Sequence, residues 1–527
     1  MKKMKFLSVP AIIVSVIAAF SACVDSSQIE NDSQAALTFV SINDIHGYIE
    51  QDDSGEGGLS NTAYMIDKMS AFYADNDDET TTRDDVVLFA NGDIFQGTAI
   101  SNMSRGAAVV AAMNEMGFDG MGIGNHEFDW GLSEITKYWD GQNSDIKANF
   151  PLITSNIAQK SADNTLLGDL SDDDNILPYT IVEKMGVKVG LIGAIGPCEN
   201  SILQKMVADY TFEDVTQSVK TAALALKNAG ADIISVNIHY GNADDPTHYD
   251  ANRNIASLKT GDGDYLVDII FNGHTHSRQK AYIERPDGSF VPVVQGGCNN
   301  KAVAYVKLVY DKAKDQVSFK GYGYEYVSTV GDNYDLNVQN VITDYSNNLL
   351  NSLPELAKSA VTLKGKIKDG DLPAYVADIM LSAFESDYCI SNFGGIRSNG
   401  NIHAGEAIKE SNLYEIIPFD NAVYYIEMQG NAIYEHYRNN NSSCFYGVNE
   451  RAIDISELKD NTNYFTVSVI DYVYTGKYFD AYRSGVRNET NTLIQLRELL
   501  IEDVTEYGRT NTAWNPAEGS KLSKHEW

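Results

Sequence analysis

Five short polar motifs, set mostly at the ends of apolar runs, constrain the fold of this chain more than any other feature. They contain five of its nine histidines. The motifs are Asn43-Asp44-Ile45-His46-Gly47, Asn91-Gly92-Asp93, Gly124-Asn125-His126-Glu127-Phe128-Asp129, Ile238-His239-Tyr240-Gly241 and Gly273-His274-Thr275-His276. The repeated order of apolar strand, loop and helix from residue 37 to about 326 is typical of a layered α/β domain. Since such folds build sites at the carboxyl ends of their strands, we expect the motifs to converge.

The apolar runs predict buried strands at 37–42, 86–89, 187–192, 233–238 and 266–271. A helix is predicted over 334–353, before Pro354, and a second α/β or α+β region follows it. A chain of 527 residues is too long for one ordinary domain. We therefore expect a signal peptide over 1–22, a flexible linker over 23–36, an α/β domain over 37–330, a linker helix over 331–356 and a second domain over 357–527.

The first 22 residues have the features of an export signal. Lys2, Lys3 and Lys5 precede an apolar stretch over about residues 6–20, which is short for a transmembrane span. Small residues then precede Cys23, as in a bacterial lipoprotein signal that is cleaved and lipidated there. The alternative is a simple secretory signal with a chance cysteine. We expect an exported protein in the periplasm or cell envelope, with membrane contact only through a lipid anchor at Cys23.

The net charge of −33 argues against nucleic acid or an anionic membrane as a partner. An anionic substrate would need local cations, which metal ions and a few Arg or Lys residues can supply. The remaining cysteines show no C-x-x-C pattern, so zinc ribbons and redox motifs are not expected. The sequence leaves open whether they pair, and it leaves the oligomeric state open. They are Cys198, Cys298, Cys389 and Cys444.

The motifs offer nitrogen and oxygen ligands for metal. Asp44 and His46, and likewise His274 and His276, are two residues apart after a predicted strand, so strand alternation would put each pair on one face. A carboxylate at Asp93 could bridge two cations, and Asn125 and His239 add two further ligands. Ligands of this type without thiolate favour two divalent ions, zinc, manganese or cobalt, with iron also compatible. A single structural zinc would leave too many ligands unused.

This ordered set of motifs resembles the calcineurin-like metallophosphoesterases, and the stretch from Asn91 to Gly131 resembles the 5′-nucleotidase family within them. That family includes UDP-sugar hydrolases and 2′,3′-cyclic-nucleotide phosphodiesterases. The resemblance implies an N-terminal four-layer α/β/β/α domain, a linker helix and a C-terminal α/β substrate-binding domain. It also implies two metal sites that share Asp93. One takes Asp44, His46, Asp93 and His276, and the other takes Asp93, Asn125, His239 and His274.

Two such cations would promote in-line attack of a metal-bound water on phosphorus. By the resemblance, His126 contacts the phosphoryl group and stabilises the transition state or assists the leaving group. Asp129 would then hold its ring in the required tautomer. The alternative is that His126 only caps the following turn.

In the second region, the turn from Asn392 through Gly395 to Arg397 resembles the family's substrate-binding N-x-G-G-I-R sequence. Phe419, in a segment that resembles P-F-G-N, and Tyr472 match the two aromatic residues that stack on the nucleobase. Lys368 stands where the family often has an arginine that holds phosphate. The alternative for Phe419 and Tyr472 is core packing.

The family's G-G-D-G segment, whose aspartate binds ribose hydroxyls, is missing, because residues 475–479 read Thr-Gly-Lys-Tyr-Phe. We therefore expect weak discrimination between ribo- and 2′-deoxyribonucleotides. The predicted function is an exported 5′-nucleotidase that acts on small-molecule nucleotides. The same chemistry on cyclic nucleotides, UDP-sugars or a non-nucleotide phosphoester is the alternative. A non-catalytic binding lipoprotein is disfavoured, because binding alone does not require His126 and Asp129.

Overall fold

The computed structural model describes residues 33–52, 55–72, 82–140, 146–170, 175–242, 244–357, 359–368, 370–397, 402–510 and 512–525. The predicted signal peptide, Cys23 and most of the predicted linker lie outside the described residues. No helix in the described ranges is both long enough and apolar enough to cross a membrane.

Among the described residues, the first part of the chain contains sixteen strands and eight α-helices. The strands are β1 Gln34–Ile42, β2 Val86–Asn91, β3 Gly120–Gly122, β4 Leu152–Ile153, β5 Ile157–Gln159, β6 Thr165–Leu166, β7 Ile176–Leu177, β8 Thr180–Lys184, β9 Val187–Ile195, β10 Tyr210–Phe212, β11 Ile233–His239, β12 Ile269–Asn272, β13 Arg278–Glu284, β14 Phe290–Gly296, β15 Ala302–Asp311 and β16 Gln316–Tyr326. The helices are α1 Leu59–Met69, α2 Ala99–Met103, α3 Ala107–Met116, α4 Leu132–Asp140, α5 Gln204–Val207, α6 Val215–Asn228, α7 Asp250–Ala256 and α8 Leu336–Ser352.

Two large sheets pack face to face in this part of the chain. One has the order β16-β15-β1-β2-β3-β4-β7 and the other β13-β14-β12-β11-β9-β8. Alternate residues along each strand divide between two cores, because successive side chains point to opposite faces. Phe39 and Phe89 lie between the sheets, whereas Val40 and Leu88 pack under helices α1, α3, α4 and α8. Helices α6 and α7 cover the outer face of the second sheet, which confirms the predicted α/β/β/α layers.

The predicted strands are all present, and the parallel ones bring their carboxyl ends together. β2 pairs in parallel with β1 and β3, and β11 pairs in parallel with β9 and β12. β12 begins at Ile269 rather than at the predicted Leu266. Leu266 instead donates its backbone N–H to the carbonyl of Leu258 at 3.0 Å, so its amide is used in a local turn.

The second part of the chain has its own sheet and core. Its strands are β17 Ser359–Thr362, β18 Tyr388–Asn392, β19 Ala407–Lys409, β20 Ala422–Gln429, β21 Cys444–Val448, β22 Tyr464–Ile470 and β23 Val486–Gln495. Its helices are α9 Asp371–Phe384, α10 Glu410–Ile416, α11 Gly430–Asn440, α12 Asp471–Tyr474 and α13 Leu496–Arg509. Five strands form a mixed sheet in the order β21-β18-β22-β20-β23, and its core includes the fully buried Trp514.

Helix α8 packs with the first part of the chain. It begins after Asp335, whose side chain caps it by accepting the N–H of Val338 at 2.9 Å. Val338 and Ile342 belong to the core under α1 and α3. The helix matches the predicted segment closely, while the domain boundaries themselves stay a prediction.

The two parts of the chain contact each other on the side of the first domain where the polar motifs lie. Ala99 packs with Leu356 and Tyr414 in a small apolar cluster. Nearby, Asn102 Nδ2 donates to the Pro418 carbonyl at 3.0 Å. All four cysteines left open by the sequence, Cys198, Cys298, Cys389 and Cys444, are free thiols.

Candidate active site

Five of the seven candidate ligands lie on backbone in the left-handed region. The values of φ are 52° at Asp44, 50° at His46, 55° at Asp93, 68° at His274 and 57° at His276. Strand alternation was therefore the wrong reason to expect each pair on one face, because β1 and β12 end before these residues. Residues with side chains rarely adopt this conformation, so surrounding contacts must hold it.

Hydrogen bonds between the loops hold this backbone. Asp44 donates its N–H to the Gly92 carbonyl and His46 donates to the Asp93 carbonyl, both at 3.0 Å. The N–H of His274 donates to the Asp44 carboxylate at 3.0 Å. The first motif is thereby held by the second, and the fifth motif by the first.

Asp44, His46 and His276 form the first candidate metal group, with ligand atoms all within 4.8 Å of one another. The Nε2 atoms of His46 and His276 are 3.0 Å apart. The Asp44 Oδ1 atom is 3.6 Å from His276 Nε2. Side chains from two motifs that are distant in the chain thus converge on one point.

Asp93, His239 and His274 form the second group under the same distance criterion. His239 Nε2 is 3.1 Å from Asp93 Oδ2. The Asn125 Oδ1 atom is 2.7 Å from His274 Nδ1 and 3.3 Å from His239 Nε2. The groups adjoin, since His239 Nε2 is also 4.0 Å from Asp44 Oδ1.

The chemistry of these donors fits divalent metal. His46 Nδ1 faces the Gln96 carbonyl at 3.1 Å and His239 Nδ1 faces the Asn91 carbonyl at 2.8 Å. Such contacts keep the proton on Nδ1 and direct Nε2 into the site. Burial lowers the pKa of His276 to about 3 and that of His274 to about 4, so these two rings are neutral, the form that binds metal. The pKa of His239 is raised to about 10, because the adjacent Asp93 carboxylate outweighs the effect of burial.

Close approach of the third motif to Asp93 requires a glycine at position 124. A Cβ atom there would lie 2.3 Å from Asp93 Oδ1 and 2.8 Å from His239 Cε1. Without the side chain, the loop can bring Asn125 against His239. The absence of a side chain at Gly124 therefore leaves room for the Asp93 carboxylate and the His239 ring to lie against this loop.

Glu127 holds two of the motifs together, and sequence reasoning assigned it no role. Its buried carboxylate accepts the backbone N–H groups of Asp93, Ile94 and Gly124 at 2.6–2.8 Å. Its position as an acidic residue inside the histidine-containing motif 124–129 was the one signal in the sequence that could have indicated this role. It is a positioning residue, because the N–H groups it receives belong to the loops that carry the candidate ligands.

His126 forms the predicted pair with Asp129 and also contacts the second domain. Its Nδ1 lies 2.8 Å from Asp129 Oδ2, and Arg397 Nη2 lies 2.6 Å from its Nε2. A guanidinium group has only donors, so Nε2 accepts and Nδ1 carries the proton. Its backbone N–H donates to Asp93 Oδ1 at 2.8 Å. His126 therefore does more than cap a turn.

A cavity of about 580 Å³ lies between the two domains. Arg397 Nε and Asn392 Oδ1, on its wall, are buried with no hydrogen-bond partner within the described residues. Most predicted site residues line it, namely Asp93, Asn125, His126, Asp129, His274, His276, Asn392, Gly395, Arg397, Phe419 and Tyr472. A smaller cavity of about 150 Å³ adjoins His46, His276 and Arg397 from another side.

Lys368 lines neither of these two cavities, and its role in phosphate binding stays a prediction. It lies ahead of α9 as expected, but its backbone N–H donates to Asp371 Oδ2 at 2.8 Å and it is exposed. Cations that sequence reasoning missed take its place on the wall. Arg105 and Lys205 line the large cavity together with Arg397.

The two predicted stacking residues differ in their surroundings. The half-buried Phe419 ring lies 5.4 Å from the His126 ring, and the Arg397 guanidinium is 5.1 Å from its centroid. Tyr472 packs partly against the second core, and its hydroxyl donates to the Asn200 carbonyl at 3.3 Å. Both rings face the cavity, although each also has packing contacts.

Arg497 shapes the loop that carries Phe419 and was missed from the sequence. Its buried guanidinium donates to the carbonyls of Ile417, Pro418 and Phe419 at 2.8–3.3 Å. It also pairs with Asp420. One buried cation thus satisfies the backbone of an irregular segment, as buried carbonyl groups require.

Known protein families match both the first and the second part of the chain. The family model of calcineurin-like phosphoesterases matches residues 37–278, and that of the 5′-nucleotidase C-terminal domain matches residues 351–477. The chain belongs to the 5′-nucleotidase family. Membership makes it a phosphoric ester hydrolase, and the α/β layers and candidate metal groups agree with that class.

Members of the family and their structures resemble this chain over most of its length. The snake venom 5′-nucleotidase of Gloydius brevicauda is 26% identical over 445 residues, 76% of this chain and 70% of that protein. The endonuclease YhcR of Bacillus subtilis is 27% identical over 426 residues, yet the match spans only 32% of it. A 5′-nucleotidase precursor from Thermus thermophilus has the same fold, with a TM-score of 0.70 and 18% identity over 92% of this chain and 98% of that one.

Replacing Glu127 by Gln should destabilise the first domain by about 1–3 kcal/mol, because one buried backbone N–H would lose its acceptor. An amide nitrogen would also face a backbone N–H donor. Urea unfolding of metal-free protein measures the change, and metal titration should show weaker binding. Glu115, exposed on α3, supplies the control substitution. Unchanged stability and metal affinity in Glu127→Gln would remove the positioning role.

Proposed function

We propose that this protein is an exported 5′-nucleotidase that releases phosphate from nucleotides with two divalent metal ions. The observation that carries the proposal is the convergence of two adjacent groups of nitrogen and oxygen ligands beside His126 and Arg397. A purely binding protein needs no such convergence. Export and a lipid anchor at Cys23 rest on the N-terminal sequence alone.

One metal would be held by Asp44, His46, Asp93 and His276, and the other by Asp93, Asn125, His239 and His274. Asp93 is the bridging carboxylate in this proposal. Zinc, manganese or cobalt suits these donors, since no thiolate is present among them. When bound, the pair would supply positive charge toward phosphate oxygens and activate a water for attack on phosphorus.

The protein's own groups would orient and stabilise the phosphoryl group. Arg397 presents donors at the boundary between the domains, and its unpartnered Nε has unused capacity for a phosphate oxygen. When Arg397 turns to the phosphate, a protonated His126 would donate from Nε2 to the phosphoryl group or the leaving oxygen. Asp129 would hold the proton on Nδ1, so that the ring keeps this orientation through the reaction.

Phe419 and Tyr472 would hold the base, and Asn392 and Gly395 would line the approach to the phosphate. Stacking demands little base identity, so several nucleotides would fit. UDP-sugars, cyclic nucleotides and other phosphoesters remain the alternative for the same chemistry. A phosphate-release screen over these classes, run with each metal, tests the proposal, and lack of activity on every nucleotide would contradict it.

Replacing Asp93 by Asn should weaken both metals together, because one carboxylate would serve two cations. Metal analysis after dialysis should give fewer than two ions per chain, and turnover should fall with the metal content. Asp119, a half-buried carboxylate paired with Lys184 at 2.9 Å outside the motifs, gives the control Asp119→Asn. Two retained metals with near-normal turnover in Asp93→Asn would exclude the bridge.

Replacing His126 by Asn should lower turnover by about 10²–10⁴-fold, the usual loss for one transition-state or proton-transfer group. Metal content should stay the same, because His126 is outside both metal groups. His248→Asn is a matched control. His248 pairs with Asp245, also three positions away in the sequence, at 2.6 Å on the surface. Loss of metal on replacing His126 would make it a ligand instead.

Replacing Phe419 by Ala should weaken nucleotide binding by about 1–3 kcal/mol, the usual contribution of one aromatic ring stacked on a base. The effect should fall mainly on KM if stacking is equal in the ground and transition states. Hydrolysis of p-nitrophenyl phosphate, which has no base, is the comparison. Equal losses on AMP and on this ester would show that Phe419 only packs the domain.

A further inference from the structure

We propose that Asp420 binds the sugar hydroxyls of the substrate and makes the enzyme discriminate ribose from 2-deoxyribose, in place of the weak discrimination expected from the missing G-G-D-G segment. This inference rests on the proposed nucleotidase function, which it makes more specific. Asp420 lines the large cavity and directly follows Phe419. It stands at the position that is glycine in the P-F-G-N segment of the family, so this carboxylate is a departure of this chain.

The residues that replace the family's G-G-D-G segment do not supply such a group. None of residues 475–479, all of them described, lines the cavity. Phe479 is buried in the second core instead, where it packs against His436 and Tyr474. The nearest cavity residue on that side is Tyr472. Residues 475–479 therefore supply no carboxylate to this cavity.

Asp420 is held in a fixed orientation by one cation on its own domain. The buried Arg497 pairs with Oδ1 while it also donates to the backbone of the same loop. Charge-assisted pairs of this kind restrict both partners. The second oxygen, Oδ2, is consequently directed away from Arg497.

The second oxygen retains capacity for a ligand. Arg105 Nη1 lies 3.5 Å from Oδ2, beyond the usual 2.7–3.2 Å of a strong hydrogen bond. The Arg105 guanidinium also lies 5.3 Å from the centroid of the Trp130 ring, and this contact competes with closer approach to Asp420. The Asp420 side chain is 34% exposed, so the oxygen is accessible from the cavity.

The chemistry of this oxygen selects hydroxyl groups. An ionised carboxylate only accepts hydrogen bonds, so it repels a phosphate and binds neutral donors. In the proposed function, Arg397 and His126 bind the phosphate of the substrate. Both residues contact the ring of Phe419, which directly precedes Asp420. The sugar is bonded directly to that phosphate, and adjacent hydroxyls on it would satisfy Oδ2. A substrate lacking one hydroxyl would leave this acceptor short of a donor.

The test compares AMP with dAMP, and adenosine with 2′-deoxyadenosine, in the wild type and in Asp420→Asn. The wild type should prefer AMP in kcat/KM by about ten- to a hundredfold, the value of one hydrogen bond to a charged group. In Asp420→Asn the preference should fall towards one, while p-nitrophenyl phosphate hydrolysis should stay within about twofold because it has no sugar. Asp420→Glu, which keeps the charge, should retain part of the preference.

Glu134→Gln is the matched control, because Glu134 lines the same cavity but its carboxylate pairs with Lys137 at 2.8 Å. Its preference for AMP should equal that of the wild type. Calorimetric binding of the two nucleosides gives a readout that does not depend on hydrolysis. If the protein hydrolyses p-nitrophenyl phosphate but no nucleotide, the proposed function fails, and nucleoside binding alone decides about Asp420. Equal or absent binding of the two nucleosides, or a preference unchanged in Asp420→Asn, would overturn the inference.

Discussion

The site depends on backbone that is held in an unfavourable conformation. Left-handed geometry at five candidate ligands costs of order 1–3 kcal/mol at each one, so none of these loops would keep its shape alone. The buried Glu127 carboxylate and the hydrogen bonds between motifs supply the compensation. The two packed sheets make this possible, because their parallel strands end side by side and deliver all five loops to the same place.

The two domains have different tasks in this arrangement. The first carries the candidate metal ligands and the His126–Asp129 pair, while the second presents Arg397, Phe419 and Asp420 to the same cavity. The direct contact between Arg397 and His126 joins the two sets of groups. The proposed catalytic and substrate-binding groups are therefore brought together only when both domains are present.

Positively charged side chains on the cavity wall offset the acidity of the rest of the chain where a phosphoester would bind. The chain as a whole carries −33, which would repel a phosphoester from most of its surface. Arg397, Arg105 and Lys205 are concentrated on the wall of one cavity, and two divalent ions would add positive charge beside them. Asp420 is anionic on the same wall, and its paired arginine residues offset its charge while leaving an oxygen for neutral donors.

Much of the site could be predicted from the sequence, because ligand type and order are properties of single residues. Local patterns predicted the histidines, aspartates and asparagine of the motifs, the strands before them, the α8 helix and the partners His126 and Asp129.

Tertiary structure alone decided the rest. Strand alternation was the wrong reason for the pairing of Asp44 with His46, since inter-loop hydrogen bonds determine that backbone. Lys368 occupies the expected position before α9, but it is exposed and lies outside both cavities. Glu127, Arg497 and Asp420 act through groups distant in the chain or through cavity walls, and no local pattern encodes which backbone amide, carbonyl or domain surface will lie opposite a given side chain.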